Sequence, residues 1–459
     1  MDLRDPIPAY ITALTIVGDK AYDRMGIWMR TGDVNGDGCN DLVVASDEVD
    51  EPNQIIEHNN RGMVYVIRGG NHLAVSQTID LSQYGSTALA GHIARFPPPG
   101  AAKYHFGSTC QIADLDGNSR GEVLASATLN RSDASLRIPD EDSQTREASG
   151  GAFRGKLYIA WDDNFPNGLW PNGYEFDISA PTLGQCTEIS GGSSNISFGE
   201  EMFGGLDYDG DGMAELFVGD IVGNGANGNA SGLGYVLYHA ADLKNTVFSI
   251  DSPPGGVVVT TIDGPVGGAI SSNTAAQGDF NGDGIFDLMV GNPHDNPQGR
   301  FHAGSMHILF GRVGGWPTCI NLATGLEPPK NQIRMKRVNG AHGQNGSDLG
   351  DTLCYSAATG DVDGDGRIDL IVNEMVGNGI GPGTINVGDL LVISGPALGQ
   401  IVAADLNGTG TVNMADFGLF AIEWLSTNCG LCNGADLTGN NEVGLPDLLQ
   451  LATDWLICQ

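Results

Sequence analysis

One short string recurs five times along this chain, and it constrains the fold more tightly than any other feature. It reads DVNGDGCNDLVVAS at 33–46, DLDGNSRGEVLAS at 114–126, DYDGDGMAELFVG at 207–219, DFNGDGIFDLMVG at 279–291 and DVDGDGRIDLIVN at 361–373. Successive starts lie 72–93 residues apart. A Gly-led apolar run follows each: GMVYVIRGG (62–70), GKLYIAWDD (155–163), GLGYVLYHA (232–240), GSMHILFGR (304–312) and GDLLVISGP (388–396). Self-similarity of this kind marks supersecondary units that must pack on one another to bury their apolar faces.

The runs are short, rich in β-branched and aromatic residues, and bounded by Gly, Asn and Asp, so they read as strands. A helical period is absent before about residue 414. Each repeat supplies a strand before the loop, one after it, and the Gly-led strand. A fourth comes from segments such as ITALTIVG (11–18) and QIRMKRVNG (332–340). Four strands per repeat predict an all-β propeller of five blades over residues 10–396, lengthened by polar insertions such as 130–151. Segment 11–18 is expected to complete the last blade and close the ring, removing exposed sheet edges. The rival expectation is a larger ring whose first blades precede Met1. A Met/Phe/Leu-Gly pair precedes four of the loops, at Met25-Gly26, Phe106-Gly107, Phe198-Gly199 and Leu349-Gly350; the fourth repeat has Ser271-Ser272 instead.

The loops carry the chemistry. In the first, Asp33, Asn35 and Asp37 offer side-chain oxygens at positions 1, 3 and 5, Cys39 its carbonyl at position 7, and Asp41 a carboxylate at position 9. The others offer Asp114, Asp116, Asn118, Arg120 and Glu122; Asp207, Asp209, Asp211, Met213 and Glu215; Asp279, Asn281, Asp283, Ile285 and Asp287; and Asp361, Asp363, Asp365, Arg367 and Asp369. Hard cations such as Ca²⁺ take six to eight oxygens, and this alternation supplies most of them from one short loop. Five predicted calcium sites follow. The second departs from the pattern, with Ser119 where the others have Gly. Without metal, the clustered carboxylates repel one another.

These repeats resemble the FG-GAP repeats of integrin-α-type propellers, over roughly residues 10–396. The resemblance implies structural calcium in the loops and ligand binding on other surfaces of the ring. The family's usual seven repeats are not matched by the five here.

Residues 405–459 change character after a linker at 397–404. DLNGTGTVNMADFGLFAIEWL reads as a loop followed by an amphipathic helix, with Asp405, Asn407, Thr409, Asn413 and Asp416 at positions 1, 3, 5, 9 and 12 and the Thr411 carbonyl at 7. The second copy places Asp436, Thr438, Asn440 and Asp447 likewise, with Glu442 at position 7 and Gly444 at position 9. Such EF-hand-like spacing, repeated at a chain terminus, resembles a type I dockerin domain. That resemblance implies a cohesin-like or cell-surface protein partner, contacted at Met414-Ala415 and Leu445-Pro446. Thr409, Thr438 and Gly444 stand where stronger ligands are expected, so one or two weaker calcium sites are predicted here. Cys429, Cys432 and Cys458 cluster in this segment and suggest a disulfide. Cys39, Cys110, Cys186, Cys319 and Cys354 read as buried or unpaired.

Charge fits this picture. Asp and Glu number 56 against 22 Lys and Arg, a net charge of −34. An acidic chain repels phosphate backbones, which sets nucleic acid aside as a partner. No apolar run approaches the ~18 residues of a membrane span. Calcium loops in such number fill where free calcium is millimolar, so the protein is expected to work outside the cell, with a signal peptide expected upstream of Met1. No nucleophile elbow, HExxH or Walker loop is present. Gly223, Gly225 and Gly228 spell GxGxxG, but no helical pattern follows. His294, His302 and His307 cluster in the fourth repeat, and Trp161, Trp170 and Tyr174 are either blade packing or a sugar-stacking platform. Two functions stay open: a secreted calcium-stabilised binding or adhesion module with a glycan or protein ligand, or a carbohydrate-active enzyme (lyase or glycoside hydrolase) or its accessory component.

Overall fold

Each recurring string is a tight turn that hands the chain from one strand to its antiparallel neighbour. The computed structural model describes residues 13–19, 23–47, 61–75, 77–99, 105–128, 154–178, 186–324, 335–379, 384–399, 404, 406, 412–427, 432, 435–438 and 442–455. The chain forms two compact units, Met1–Gly205 with Tyr238–Val257, and Leu206–Leu237 with Val258–Gln459.

In the first unit, Met29–Gly32, Asp41–Ser46, Met63–Ile67 and Ile93–Phe96 form one antiparallel meander. Phe106–Ala113, Glu122–Ala127, Lys156–Ala160 and Cys186–Ser190 form the next. The second unit repeats the scheme. Glu215–Asp220, Leu233–Leu237 and Val259–Asp263 lie antiparallel. So do Ala275–Gly278, Asp287–Asn292, Ser305–Leu309 and Met335–Asn339, and Leu353–Gly360, Asp369–Glu374 and Asp389–Ile393. Glu201–Leu206 carries the chain from the first unit into the second. The result is a mostly β fold in several sheets, consistent with the propeller-like expectation. The strand following each of the first four loops is buried along most or all of its length, as in VLASA of Glu122–Ala127, and the apolar run is continuous because both faces are covered.

Two features go beyond the sequence reading. First, three outer strands gain a short parallel partner from the following repeat: Tyr174–Glu175 on Ile93–Phe96, Val247–Ser249 on Cys186–Ser190, and Cys319–Asn321 on Val259–Asp263. Leu14–Val17 makes the same parallel pairing with Gln77–Asp80, inside the first unit. It thus has the pairing of an outer strand, and the last sheet shows three strands among the described residues.

Second, consecutive sheets within each unit are stitched by the glycine that leads each third strand. Gly62 bridges to Phe106 and Gly304 to Leu353. The amides of Phe106, Phe198, Ser271 and Leu353 donate to the carbonyls of Arg61, Arg154, Ser231 and Ala303. The next residue has left-handed backbone whether or not it is glycine: Gly107 at φ 91°, Gly199 at 98°, Ser272 at 64°, Cys354 at 67°. The fifth-repeat counterpart of Phe106-Gly107 is therefore Leu353-Cys354, not Leu349-Gly350. The sequence pattern failed here because Cys354 accepts a conformation usually left to glycine.

The fourth sheet encloses a polar network. Arg337 and Ser305 donate to Asp295 Oδ2 at 2.6 and 2.5 Å, and Asn292 Nδ2 lies 3.0 Å from His307 Nδ1. His307 is fully buried; desolvation, with the Arg337 charge adding, pushes its pKa from 6.5 down to about 3. Above pH 6.5 the imidazole is neutral whether the chain is folded or not. Below it, the unfolded chain takes up a proton that the folded one refuses, so stability falls with pH by about 1.4 kcal/mol per unit from this group alone. His307→Leu is expected to flatten the stability slope between about pH 6 and 4 by that amount, measured by urea unfolding. Equal slopes in the two proteins would show that His307 is not the group responsible.

In the tail, helices Met414–Ile422 and Leu445–Trp455 share a core of Val412, Phe420, Val443 and Leu451. The expected linker begins as a helical turn, Gly395–Gly399, whose Leu398 is buried in the core of the last two repeats.

Candidate metal centres

The Asp that opens each loop organises it. Asp33 Oδ1 accepts from the Gly36 amide at 2.7 Å and Oδ2 from the Gly38 amide at 2.7 Å. The same pair of bonds recurs at Asp114, Asp207, Asp279 and Asp361, from positions 4 and 6, at 2.6–3.1 Å. Turning those amides inward requires positive φ, 72° at Gly36 and 82° at Gly38, which explains the glycines. Ser119 adopts the position-6 conformation at φ 67° and makes the same bond at 2.8 Å. The second loop thus keeps its shape despite the substitution.

Position 9 is buried in all five loops: Asp41, Glu122, Glu215, Asp287 and Asp369 are each 0% exposed. One carboxylate oxygen accepts from the position-2 amide, of Val34, Leu115, Tyr208, Phe280 or Val362, at 2.6–2.9 Å. The second oxygen separates two classes. In the Asp loops it accepts a glycine amide at the end of the third strand: Gly69 at 2.8 Å, Gly311 at 2.8 Å, Gly395 at 3.0 Å. In the second loop Glu122 reaches further and its Oε1 is buried without a hydrogen-bond partner. Accordingly Glu122 joins Asp114 and Asp116, and Glu215 joins Asp207 and Asp209, with ligand oxygens within 4.8 Å of one another. In the fifth loop the cluster is Asp361, Asp363 and Asp365.

Metal-free, these clusters are electrostatically costly. Burial pushes the Glu122 pKa up to about 8, with Asp116, Asp162 and Asp114 adding repulsion. Burial pushes Asp287 up to about 7 against the Gly311 and Phe280 amides, with Asp283 and Asp279 adding to the rise. A divalent cation relieves both the burial and the repulsion, and the oxygen donors of these two loops suit Ca²⁺ better than a softer metal. The buried, unpartnered Glu122 oxygen is the observation that fits a cation to the second loop.

Three residues at the ends of third strands escaped the sequence reading; one of them, His239, has a ring nitrogen within 4.8 Å of carboxylate oxygens of Asp209 and Asp211 at the third loop. Asp162, 2% exposed, lies against the second loop. Its Oδ2 accepts from Asn118 Nδ2 at 3.1 Å and pairs with Arg120 Nε at 3.2 Å, while its Oδ1 is buried without a hydrogen-bond partner. Arg68 lies against the first loop. Its Nη2 donates to Asp37 Oδ2 at 2.9 Å and Asn35 Oδ1 at 3.4 Å. Burial works to raise the Asp37 pKa, but the Cys39 amide and Arg68 outweigh it and hold the carboxyl below its usual range. The available signal was the contrast among RGG, WDD, YHA, FGR and SGP where those strands end.

Other candidates resolve into packing. Trp161 and Trp170 are 0% and 3% exposed, so the sugar-stacking platform gives way to blade packing. His294 stacks on His302 at 4.8 Å, whereas His307 sits in its own buried strand. Gly223, Gly225 and Gly228 occupy a loop between two strands. Cys39, Cys110, Cys186, Cys319 and Cys354 are free thiols, and Cys432 is disulfide-bonded.

In the tail, Asp416 and Asp447 sit at the first turns of their helices. Asp416 accepts from the Asn413 amide at 2.9 Å and Asn413 caps Ala415, a reciprocal capping box. Asp447 accepts from the Thr438 amide and hydroxyl at 2.9 and 2.8 Å and from the Gly444 amide at 2.8 Å. Asp436 is buried, and Glu442 pairs through its backbone with Thr427. Asp405, Asn407, Thr409, Thr411 and Asn440 lie outside the described residues.

The FG-GAP repeat family matches the chain at residues 25–67 and 272–309. No curated protein sequence matches it. Among solved structures, the rhamnogalacturonan lyase YesW aligns at 14% identity with a TM-score of 0.31, covering 82% of this chain and 49% of that one. The chain therefore spans about half the length of that enzyme. Among the described residues no helix is long and apolar enough to cross a membrane.

Proposed function

We propose that residues 10–396 form a calcium-stabilised FG-GAP propeller that works outside the cell as a binding or adhesion module. Residues 405–459 attach it to a partner protein as a dockerin-like domain. The observation carrying this reading is the recurrence, in successive repeats, of an acidic loop with the same inward-turned amides and the same buried position-9 carboxylate. Calcium in these loops stiffens the sheets and leaves other surfaces to bind ligand. The binding reading stands ahead of the carbohydrate-active one because Trp161 and Trp170, the largest members of the sugar platform, are buried, and His307 is sealed in a strand apart from the stacked His294–His302 pair.

The tail supports attachment through its apolar surface. Met414 is 67% exposed, Leu445 73% and Leu449 70%. Met414, Phe417, Leu448, Leu451, Ala452 and Trp455 line a groove of about 500 Å³ between the two helices. Calorimetry of the full chain against cohesin domains is expected to show calcium-dependent binding. Met414→Asp and Leu445→Asp are each expected to weaken it by roughly 30-fold or more, as for central anchors of an interface. Failure to bind any cohesin, or turnover of a polysaccharide to unsaturated products by the same preparation, would overturn the reading.

A further inference from the structure

The five loops are alike in sequence, but what faces each one is not. Strand register fixes the comparison. The residue after position 9 pairs with the last residue of the third strand in every repeat: Leu42 with Ile67, Val123 with Ala160, Leu216 with Leu237, Leu288 with Leu309 and Leu370 with Ile393. The residue that follows is Arg68 in the first repeat, and Trp161, Tyr238, Phe310 and Ser394 in the others. A permanent positive charge stands at this place in the first repeat alone.

We propose that Arg68 is the resident cation of the first loop, and that this loop takes no calcium at concentrations that fill the others. The guanidinium contacts Asp37 Oδ2 and Asn35 Oδ1, the oxygens of positions 5 and 3. A bound metal would have to share both. The side chain is also held away from solvent. Arg68 is 8% exposed, its Nη1 donates to the Gly168 carbonyl, and its guanidinium carbon lies 5.7 Å from the centre of the Trp170 ring. Arginine keeps its proton at any relevant pH, so deprotonation cannot clear the site. An ion at calcium–oxygen distance from both oxygens would sit in contact with like charge, unless Arg68 left both Gly168 and Trp170. The ion pair performs at the first loop what a metal performs at the second: it neutralises a cluster that would otherwise repel itself.

This inference rests on the calcium reading of the remaining loops, and the experiment separates the two. Bound calcium is counted by native mass spectrometry and by titration calorimetry on the full chain, wild type and Arg68→Gln, with circular dichroism as the folding check. Arg68→Gln is expected to bind one further ion, and Asp37→Asn in the same background to lose it. Equal, non-zero counts in the two proteins would overturn the Arg68 assignment and leave the calcium reading standing. No calcium in either would overturn both. Should Arg68→Gln fail to fold, a wild-type crystal grown with calcium decides. Ions at the second and third loops with the guanidinium still on Asp37 support the assignment; an ion between Asp33, Asn35 and Asp37 refutes it.

Discussion

Chelating calcium with EDTA is expected to lower the melting temperature of the full chain by about 5 °C. A ligand held only by the folded state, at a hundred times its dissociation constant, contributes about 2.7 kcal/mol per site. Two filled sites, at the second and third loops, reach roughly 5 kcal/mol, and at an unfolding entropy of about 2.1 cal/mol/K per residue each kcal/mol moves the midpoint of a chain this long by about 1 °C. The cause is local. In the absence of metal, Glu122 is fully buried beside Asp114, Asp116 and Asp162, and its pKa rises to about 8 as the protein resists a charge it cannot solvate. Differential scanning calorimetry in millimolar Ca²⁺ and in EDTA makes the comparison. Identical melts would remove calcium from the account of this fold.

Gly62→Ala is expected to be among the most damaging single-methyl changes at the described glycines. Its φ is +81°, and an added Cβ would lie 1.9 Å from the Phe106 carbonyl oxygen of the next sheet. Left-handed strain costs about 1–2 kcal/mol, and overpacking against backbone adds about 1–3, for a loss of roughly 3 kcal/mol or more. Gly38 makes a matched control, since its φ is +82° and nothing lies within 4 Å of the added atom. Gly38→Ala should therefore cost only the strain. Denaturant unfolding of both variants separates conformation from contact. Similar losses would mean that the stitch between sheets contributes little.

Much of the fold was legible because its signal is periodic. The acidic turn, the strand after it and the Gly-led strand recur in the same order in all five repeats, and Met335–Asn339 forms the fourth strand of its sheet as the pattern predicts. What escaped lies in short elements with no periodicity. The parallel partners Tyr174–Glu175, Val247–Ser249 and Cys319–Asn321 have two or three residues each, too few to show alternation. The Leu353-Cys354 joint was hidden because glycine was the cue and cysteine occupies the left-handed position. At the loops, the ligand positions could be read, but the difference between them could not. It depends on residues 20 to 50 positions downstream, Arg68 and Asp162, which strand pairing brings back to the loop. The Asp or Glu at position 9 was in plain view; only the register showed that the place two residues past the third strand is Gly69, Gly311 or Gly395 in the Asp loops and Asp162 or His239 in the Glu loops.

The parallel edge partners also bear on how the chain is made. Ile93–Phe96, Cys186–Ser190 and Val259–Asp263 each receive their outermost neighbour from the repeat that follows. A ribosome releasing this protein therefore exposes an uncapped strand edge after each of these three repeats, until the next has emerged far enough to cover it. Cuts made at the apparent repeat boundaries would leave that edge permanently open, a known route to self-association. Fragments intended to stay soluble should instead extend past the next repeat's edge strand, for instance to residue 178 rather than to 99.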